Sequence, residues 1–321
     1  MKVSIITPHY NVKDFLDTYF KSLNSQIDYI GEVIIIDNGS TDGSLEFINQ
    51  EINHSNLNIK LIENKSNLGF AKAVNQGISI AKSEFLFLLN NDVELEKKAI
   101  FNLVNCLKTS SNAFSVSSKM VQFNNRNLID DAGDEYTLFA WTKKAGDGLS
   151  IDNYSIKREI FSSCGGAALY RKSVFEIIGG FDENFFAYME DVDIALRSQI
   201  NGLKNYYCPE AIVYHIGSGS SGSRYNPFKI RLAARNNVWV VYKNFPIILK
   251  IINFVFLFVG FLIKFLFFSF KGYGKVYLDG LKEGLSSRNQ IEKVKFNSKN
   301  TKNYFKLEWK LIVNTFYLWR K

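Results

Sequence analysis

Cysteine is scarce in this 321-residue chain: Cys106, Cys164 and Cys208 are an odd number, and none belongs to a C-x-x-C pair. That excludes a disulfide framework and a thiolate zinc site, and it points to a reducing, cytosolic compartment. The opening MKVSIITPHYN lacks the apolar core of roughly 7 to 15 residues and the small-residue cleavage site of a secretory signal, so the amino terminus is expected to belong to the fold. No G-x-G-x-x-G follows the first strand pattern and no Walker lysine loop occurs, which disfavours a dinucleotide site and a P-loop. Internal repeats and low-complexity linkers are missing as well. An apolar content of 46% with 22% charged residues is that of a globular protein and excludes a disordered chain, a collagen or a coiled coil.

Charge is present but unevenly placed. Residues 1–223 hold 20 Lys/Arg against 27 Asp/Glu, whereas 224–321 hold 19 against 4, a split of −7 and +15. A basic module of this kind meets an anionic surface, either nucleic acid or phospholipid. The apolar content decides against nucleic acid: residues 247–270 read IILKIINFVFLFVGFLIKFLFFSF, interrupted by Lys250, Asn253, Lys264 and Ser269 and followed by Lys271, Lys275, Lys282 and Arg288. A bilayer span needs about 20 mostly apolar residues. The two internal lysines favour instead a helix or short hairpin lying in the membrane interface, with cations on acidic headgroups. A true span, oriented by its basic flanks, and an oily helix packed on the main domain are the alternatives.

Along the first 110 residues, strand and helix patterns alternate. Residues 3–7, 33–37, 59–63 and 85–89 are short β-rich runs. Val12, Phe15, Leu16, Tyr19, Phe20 and Leu23 mark one helical face, and helices are expected over 45–50 and 71–81. This is a βαβ arrangement with a mostly parallel central sheet and helices on both faces. Ligands bind beyond the carboxyl ends of such strands. Those ends are polar: Thr7-Pro8-His9-Tyr10-Asn11, then Asp37-Asn38-Gly39-Ser40-Thr41-Asp42, then residues 64–69, then Asn90-Asn91-Asp92. Residues 113–165, with Asp130, Asp131, Asp134 and Glu135, read as an irregular excursion over the site.

Several of these residues suit chemistry. Asp37 can accept from a base imide or ribose hydroxyl while backbone amides take phosphate oxygens; a plain turn, with Ser40 or Thr41 capping the next helix, is the alternative. Asp92 can hold a divalent cation between itself and a substrate diphosphate, or simply cap a helix beginning near Leu95. The run FDENFFAYMEDVDIALR over 181–197 places Glu190, Asp191 and Asp193 at a helix start, where the helix dipole favours acids and where a carboxylate facing a cleft can act as general base. His215, one of three histidines, precedes a glycine-serine loop at 217–222 and can contact metal or phosphate.

Taken in order, T-P-H-Y-N, D-N-G-S-T-D, N-L-G-F-A-K-A-V-N-Q-G, L-N-N-D, G-G-F-D-E-N-F-F-A-Y-M-E-D-V-D and H-I-G-S resemble the family 2 inverting glycosyltransferases, especially the rhamnosyltransferase-like members that build bacterial cell-surface polysaccharide. The resemblance spans residues 1–240 and implies a GT-A fold there, with 241–321 as a membrane-associating basic and hydrophobic helical region. It implies a nucleotide-diphosphate sugar donor, dTDP-rhamnose or a UDP-hexose, and a divalent cation, Mg2+ or Mn2+. A glycan acceptor is expected with it, and a lipid-linked one would suit the basic, apolar carboxyl-terminal part, whose composition points to peripheral or monotopic attachment to the cytoplasmic face of the inner membrane.

By the same resemblance Asp37 binds the donor base, and Thr7, Pro8, Tyr10, Asn11, Asn38, Gly39, Asn67, Gly69, Phe70, Asn75, Asn90 and Asn91 line the donor site. Asp92 matches the last acid of the Asp-x-Asp metal motif, with Asn90 departing from its first, and His215 completes the metal site. Gly165, Gly166 and Glu190 lie beside the sugars, and Asp191 is the base. A catalytically inactive nucleotide-sugar-binding scaffold remains an alternative. So does a sugar-phosphate nucleotidyltransferase, although its Gly-rich amino-terminal signature with arginine is missing.

Overall fold

The computed structural model describes residues 1–217 and 225–318. Strands β1 (Val3–His9), β2 (Ile30–Asp37), β3 (Ile59–Glu63) and β4 (Phe85–Leu89) alternate with helices α1 (Leu16–Asn24), α2 (Ser44–His54) and α3 (Phe70–Ile80). All of these pairs are parallel: Ile5 of β1 lies beside Val33 of β2 on one edge and Phe87 of β4 on the other. Because successive side chains point to opposite faces, Ile5, Ile35 and Phe87 enter a core under α1 and α2, whereas Ile6, Ile34, Ile36 and Leu88 enter a second core under α3. This half follows the expected βαβ arrangement.

The chain continues through β5 (Val93–Leu95), α4 (Ala99–Lys108), β6 (Ala113–Gln122), β7 (Asn125–Asp131), β8 (Asp134–Tyr136), β9 (Thr142–Lys144), β10 (Arg158–Ile160), β11 (Ala167–Arg171), α5 (Lys172–Ile178), α6 (Glu190–Ile200) and β12 (Lys204–His215). The main sheet runs β10-β12-β6-β11-β4-β1-β2-β3, with β5 on β12 and β7 on β6. β11 enters antiparallel between β4 and β6, so the parallel character belongs mainly to the first four strands.

Two expectations are corrected here. The segment 113–165 is not irregular but carries five strands. Its β6 is buried on both faces, and Ser115, Ser117, Ser118 and Lys119 are buried polar residues that blur the alternation a half-buried strand would display. The helix expected near Leu95 is α4, which begins at Ala99 with Lys98 at its N-cap, and Val93–Leu95 is a strand paired with β12, so Asp92 does not cap it.

The remaining chain forms α7 (Pro227–Asn244), α8 (Ile247–Ile252), α9 (Phe254–Phe270), α10 (Gly274–Ser286) and α11 (Thr301–Tyr317). The boundary expected after residue 240 falls inside α7. A third core gathers Val192 and Leu196 of α6, Trp239 and Val240 of α7, Leu257 of α9 and Leu307 and Leu311 of α11 around Tyr136 and Phe161. The 17 residues of α9 extend about 25 Å at ~1.5 Å per residue, short of the ~30 Å hydrocarbon thickness. Among the described residues no helix is long and apolar enough to cross a membrane. The middle of α9 packs on the loop between β8 and β9: Trp141 Nε1 donates to the Gly260 carbonyl at 3.0 Å, and Phe139 packs against Phe256.

Candidate active site

The carboxyl ends of the parallel neighbours β1, β2 and β4 lie side by side on one edge of the sheet, and the second turn is organised by a single side chain. Asp37 Oδ2 accepts from the backbone amides of Gly39 and Ser40, both at 3.1 Å, while its Oδ1 is buried without a partner. One oxygen shapes the turn and the other is left for a ligand, which a plain turn does not require. Asn11 ties the first loop to this turn, accepting from Thr41 N at 2.8 Å and donating its own backbone N–H to Ser40 Oγ at 2.9 Å. Asn38 reaches the third loop through Gly69 O at 3.3 Å and Asn64 Nδ2 at 2.9 Å. Gly69 has φ +89° and a β-carbon there would lie 2.6 Å from Phe186 O, so the close approach of the two loops needs glycine.

Not every expected donor-site residue has its side chain free at this edge. Thr7 is buried with its hydroxyl on Tyr19 Oη at 2.5 Å, joining β1 to α1, and Pro8 sits in strand register opposite Ile36. Asn75 spends its amide on the Phe181 backbone, donating to its O at 2.8 Å and accepting from its N at 2.9 Å. Asn67 Oδ1 accepts from Gly69 N at 2.9 Å, and Tyr10 is exposed. The Phe70 ring packs at Gly165, and Asn90 N donates to Gly166 O at 2.9 Å, which sets the glycine pair beside the β4 end. Asn91 is buried, its Nδ2 donating to His9 Nδ1 at 3.0 Å. The ring Nε2 is left buried without a partner, and burial lowers the pKa of His9.

At the β5 end, Asp92 Oδ1 is buried and unpartnered, and its Oδ2 lies 3.5 Å from His215 Nε2. His215 Nδ1 contacts Asp130 Oδ2 at 2.8 Å, and Lys144 Nζ lies 3.3 and 3.4 Å from the two Asp130 oxygens. Burial alone would raise Asp130, yet the His215 hydrogen bond and the Lys144 charge hold it down to about 2. For His215, burial is outweighed by Asp130 and Asp92, and its pKa rises to about 9. The pattern carboxylate–imidazole–carboxylate orients Nε2 toward Asp92, as outer carboxylates do for metal-bound histidines. An orphaned Asp92 oxygen and an oriented ring nitrogen, once the cation displaces the Nε2 proton, fit a divalent cation that takes its other ligands from diphosphate and water. Among the described residues no cluster of three His, Cys, Asp or Glu could hold a metal by itself, since Asp130 is occupied with the far ring nitrogen.

The third part is the start of α6. Phe186, Tyr188 and Met189 have φ of 65°, 68° and 71°, a strained run that turns the chain into the helix. Asn236 of α7, fully buried, holds it by donating through Nδ2 to the carbonyls of Phe185, Ala187 and Tyr188 at 2.9, 2.8 and 2.7 Å. Of the acid pair, Glu190 is buried with Oε2 unpartnered, and burial together with the neighbouring Asp191 charge lifts it to about 8. Asp191 is more open, and its Oδ1 accepts from Val192 N at 2.8 Å. Burial raises Asp191 to about 6, against the Val192 hydrogen bond and the Lys144 charge. Lys144 contacts Asp130, and its charge also lowers Asp191 by a lesser effect. Ser218 and the rest of the glycine-serine loop expected to cover the substrate lie outside the described residues.

Sequence reasoning noted His9 in the first polar turn and Asp130 in an acidic cluster without giving either a role, and it did not single out Lys144 or Asn236. The cluster D-D-A-G-D-E carried a signal for Asp130, whereas nothing local marks Lys144 or Asn236, whose partners lie 14 and about 50 residues away.

The arrangement is that of a GT-A glycosyltransferase. The glycosyl transferase family 2 model matches residues 4–179, more than half the chain, and the chain belongs to that family. It is 24% identical over 243 residues to the N-acetylglucosaminyl-diphospho-decaprenol L-rhamnosyltransferase of Mycobacterium tuberculosis, covering 68% of this chain and 77% of the relative. The O-antigen chain rhamnosyltransferase WbaN of Salmonella anatum is 28% identical over 216 residues, 66% of this chain and 65% of that one. Among solved structures, GalNAc-T7 with UDP, GalNAc and Mn2+ superposes with a TM-score of 0.60 at 19% identity over 75% of this chain and about half (47%) of its own. The mannosyltransferase PcManGT of Pyrobaculum calidifontis, with GDP-Man and Mn2+, gives 0.56 at 15% identity over 100% of this chain and 88% of its own. These likenesses establish the fold.

Proposed function

We propose that the protein transfers rhamnose or a hexose from a dTDP- or UDP-sugar to a hydroxyl of a lipid-linked glycan in cell-surface polysaccharide synthesis, with inversion. The observation that supports this reading is the Lys144 charge, which bears both on the half-buried Asp191 and on Asp130, the carboxylate that contacts His215 opposite Asp92. Asp37, Asn11, Asn38 and Gly39 would receive the nucleoside, and the Gly165–Gly166 turn, packed against Phe70 and Asn90, would lie beside the donor sugar. Asp191 takes the proton of the acceptor hydroxyl while that oxygen bonds the anomeric carbon. The bond from that carbon to the diphosphate oxygen breaks, its electron pair leaving with the nucleoside diphosphate. A divalent cation held by Asp92 and His215 would supply charge stabilisation for the leaving diphosphate. Relatives acting on a decaprenol-linked substrate and on O-antigen chains support the acceptor class.

Screening nucleotide sugars with and without Mn2+ tests the reading: one donor should be turned over, and more slowly without the metal. Binding of a nucleotide sugar with neither transfer nor hydrolysis would identify the scaffold instead. For the metal site, Asp92→Asn is expected to weaken Mn2+ binding in the presence of nucleoside diphosphate by roughly tenfold or more, measured by electron paramagnetic resonance. Unchanged binding would remove Asp92 from the site.

Residues 241–321 would attach the enzyme to the membrane. Ile247, Ile248, Ile251, Phe254, Val255 and Phe258 are exposed on α8 and α9, and Phe305, Trp309 and Phe316 on one side of α11, spaced four and seven residues apart. Lysines at 250, 264, 271 and 275 accompany them. An apolar face rimmed by cations suits the surface of an anionic bilayer. Replacing both Ile251 and Phe258 with glutamate should reduce binding to phosphatidylglycerol vesicles by roughly 100-fold, since each buried apolar side chain contributes about 1.5–3 kcal/mol. Equal sedimentation of variant and parent chain with vesicles would reject attachment through this face.

A further inference from the structure

The cleft presents a charge problem to its own substrate. Asp130 pairs with Lys144, the buried Asp131 and Asp134 both feel the charge of Asp191, and Asp92 lies across His215 from Asp130, so a diphosphate entering this space meets several carboxylates. Two unit charges 4 Å apart interact by about 4 kcal/mol at an effective dielectric constant near 20, so the repulsion must be offset by cations placed within a few ångströms. One is the divalent ion that Asp92 and His215 fit. The structure offers a second.

Lys144 ends β9, paired across the hairpin with Asp134 of β8, and its neighbour Ala145 donates from N to Gly133 O at 2.9 Å. The base of the hairpin is fixed from outside: Lys143 Nζ donates to Leu318 O at 3.0 Å and Trp141 Nε1 to Gly260 O. The Lys144 backbone is therefore held, and its side chain, 42% exposed, extends to Asp130. Both contacts with Asp130 are long, 3.3 and 3.4 Å, and an ammonium has three donors, so the pair does not exhaust it. Asp130 Oδ2 is the atom that also receives His215 Nδ1 at 2.8 Å. The ammonium thus stands one carboxylate away from the residue that faces Asp92. The pair joins a partly exposed lysine to a mostly buried carboxylate, and the Lys144 charge also bears on the buried Asp131 and Asp134, so the urea midpoint of each variant is measured beside its binding.

We propose that Lys144 is a diphosphate-binding residue of the cleft, its ammonium anchored on Asp130 beside His215 and receiving a phosphate oxygen of a diphosphate-bearing substrate. This rests on the reading of the cleft as a nucleotide-sugar site. Two substrates of that reading carry the group: the nucleotide donor, and a glycan joined to its lipid through a diphosphate.

The test compares wild-type protein with Lys144→Met, which removes the charge at similar length, and Lys144→Arg, which keeps it. Calorimetric titration with UDP and dTDP is paired with KM for a diphosphate-linked lipid acceptor and for a phosphate-free glycoside of the same sugar. Loss of a hydrogen bond to a charged group corresponds to roughly ten- to a hundredfold in affinity. If the donor is the source, nucleoside diphosphate Kd rises by that factor in Lys144→Met, KM for both acceptors stays constant, and Lys144→Arg restores binding. If the acceptor diphosphate is the source, only KM for the diphosphate-linked acceptor rises, again with rescue by arginine. Unchanged values in Lys144→Met, or a loss that arginine does not restore, overturn the proposal while leaving the glycosyltransfer reading in place. Wild-type protein that binds neither nucleotide would instead end that underlying reading.

Discussion

Asp191→Asn is expected to bind nucleoside diphosphate as the wild type does and to lose on the order of 100-fold or more in turnover, the scale on which a positioned general base contributes. The substitution keeps the size of the side chain and its acceptor for Val192 N, so the start of α6 is preserved and the loss reads the chemical step. Glu190 cannot take over. It is buried, and burial, the larger of the two effects that raise its pKa, persists when the Asp191 charge is removed. The pH dependence carries the same assignment. Burial raises Asp191 to about 6, and a base works only when deprotonated, so wild-type kcat/KM should climb as pH rises through about 6 and level off above it. In the asparagine variant that limb should vanish. Near-normal turnover in Asp191→Asn, or the same acid limb in both proteins, would remove Asp191 from the role.

Asp193→Asn should be the most destabilising of the substitutions considered, by about 3–5 kcal/mol, because it breaks a buried ion network from one side. Asp193 is 0% exposed and accepts from Arg197 Nε and Nη2 at 3.0 and 2.8 Å, from Lys243 Nζ at 3.0 Å and from Asn244 Nδ2 at 2.8 Å. Lys243 also pairs with Asp182 at 2.7 Å, and Arg197 Nη2 donates to Gly180 O at 2.8 Å. One carboxylate thus joins α6, α7 and the glycine turn ahead of the acid pair. Burial would raise its pKa, but Arg197 and Lys243 hold it below the ordinary aspartate value. A lowered carboxylate pKa gives stability that is present above the unfolded-state value near 3.8 and lost as pH falls through the folded value. Urea midpoints at pH 7 should therefore fall in the variant, and the gap to wild type should narrow on acidification. An unchanged midpoint at pH 7 would show that the network does not stabilise α6.

The sequence made the first ninety residues legible because each strand is a short apolar run ending in a polar turn, and because a parallel sheet places those turns on one edge. Asp37, Asp92, Asp191 and His215 were legible for the same reason: each sits at a strand or helix end. The middle region was not. β6 hides polar side chains on buried positions, where Ser115 meets Ser163 and Asn205 at 2.8 Å each, and these partners are distant in sequence. Thr7 and Asn75 carried the right residue types in the right motifs, yet the Thr7 side chain joins β1 to α1 and that of Asn75 joins α3 to the Phe181 backbone. Asn236 lay beyond pattern reading altogether, since its role is to satisfy three carbonyls of a strained segment about fifty residues earlier.

The most direct measurement is the anomeric configuration of the transferred sugar, read from proton couplings of the product made by wild-type enzyme with its preferred nucleotide sugar. One carboxylate base acting across the cleft from the diphosphate site implies a single displacement, and hence a product whose configuration is opposite to that of the donor. Retention would contradict the account, as would an inverted product formed equally fast by Asp191→Asn.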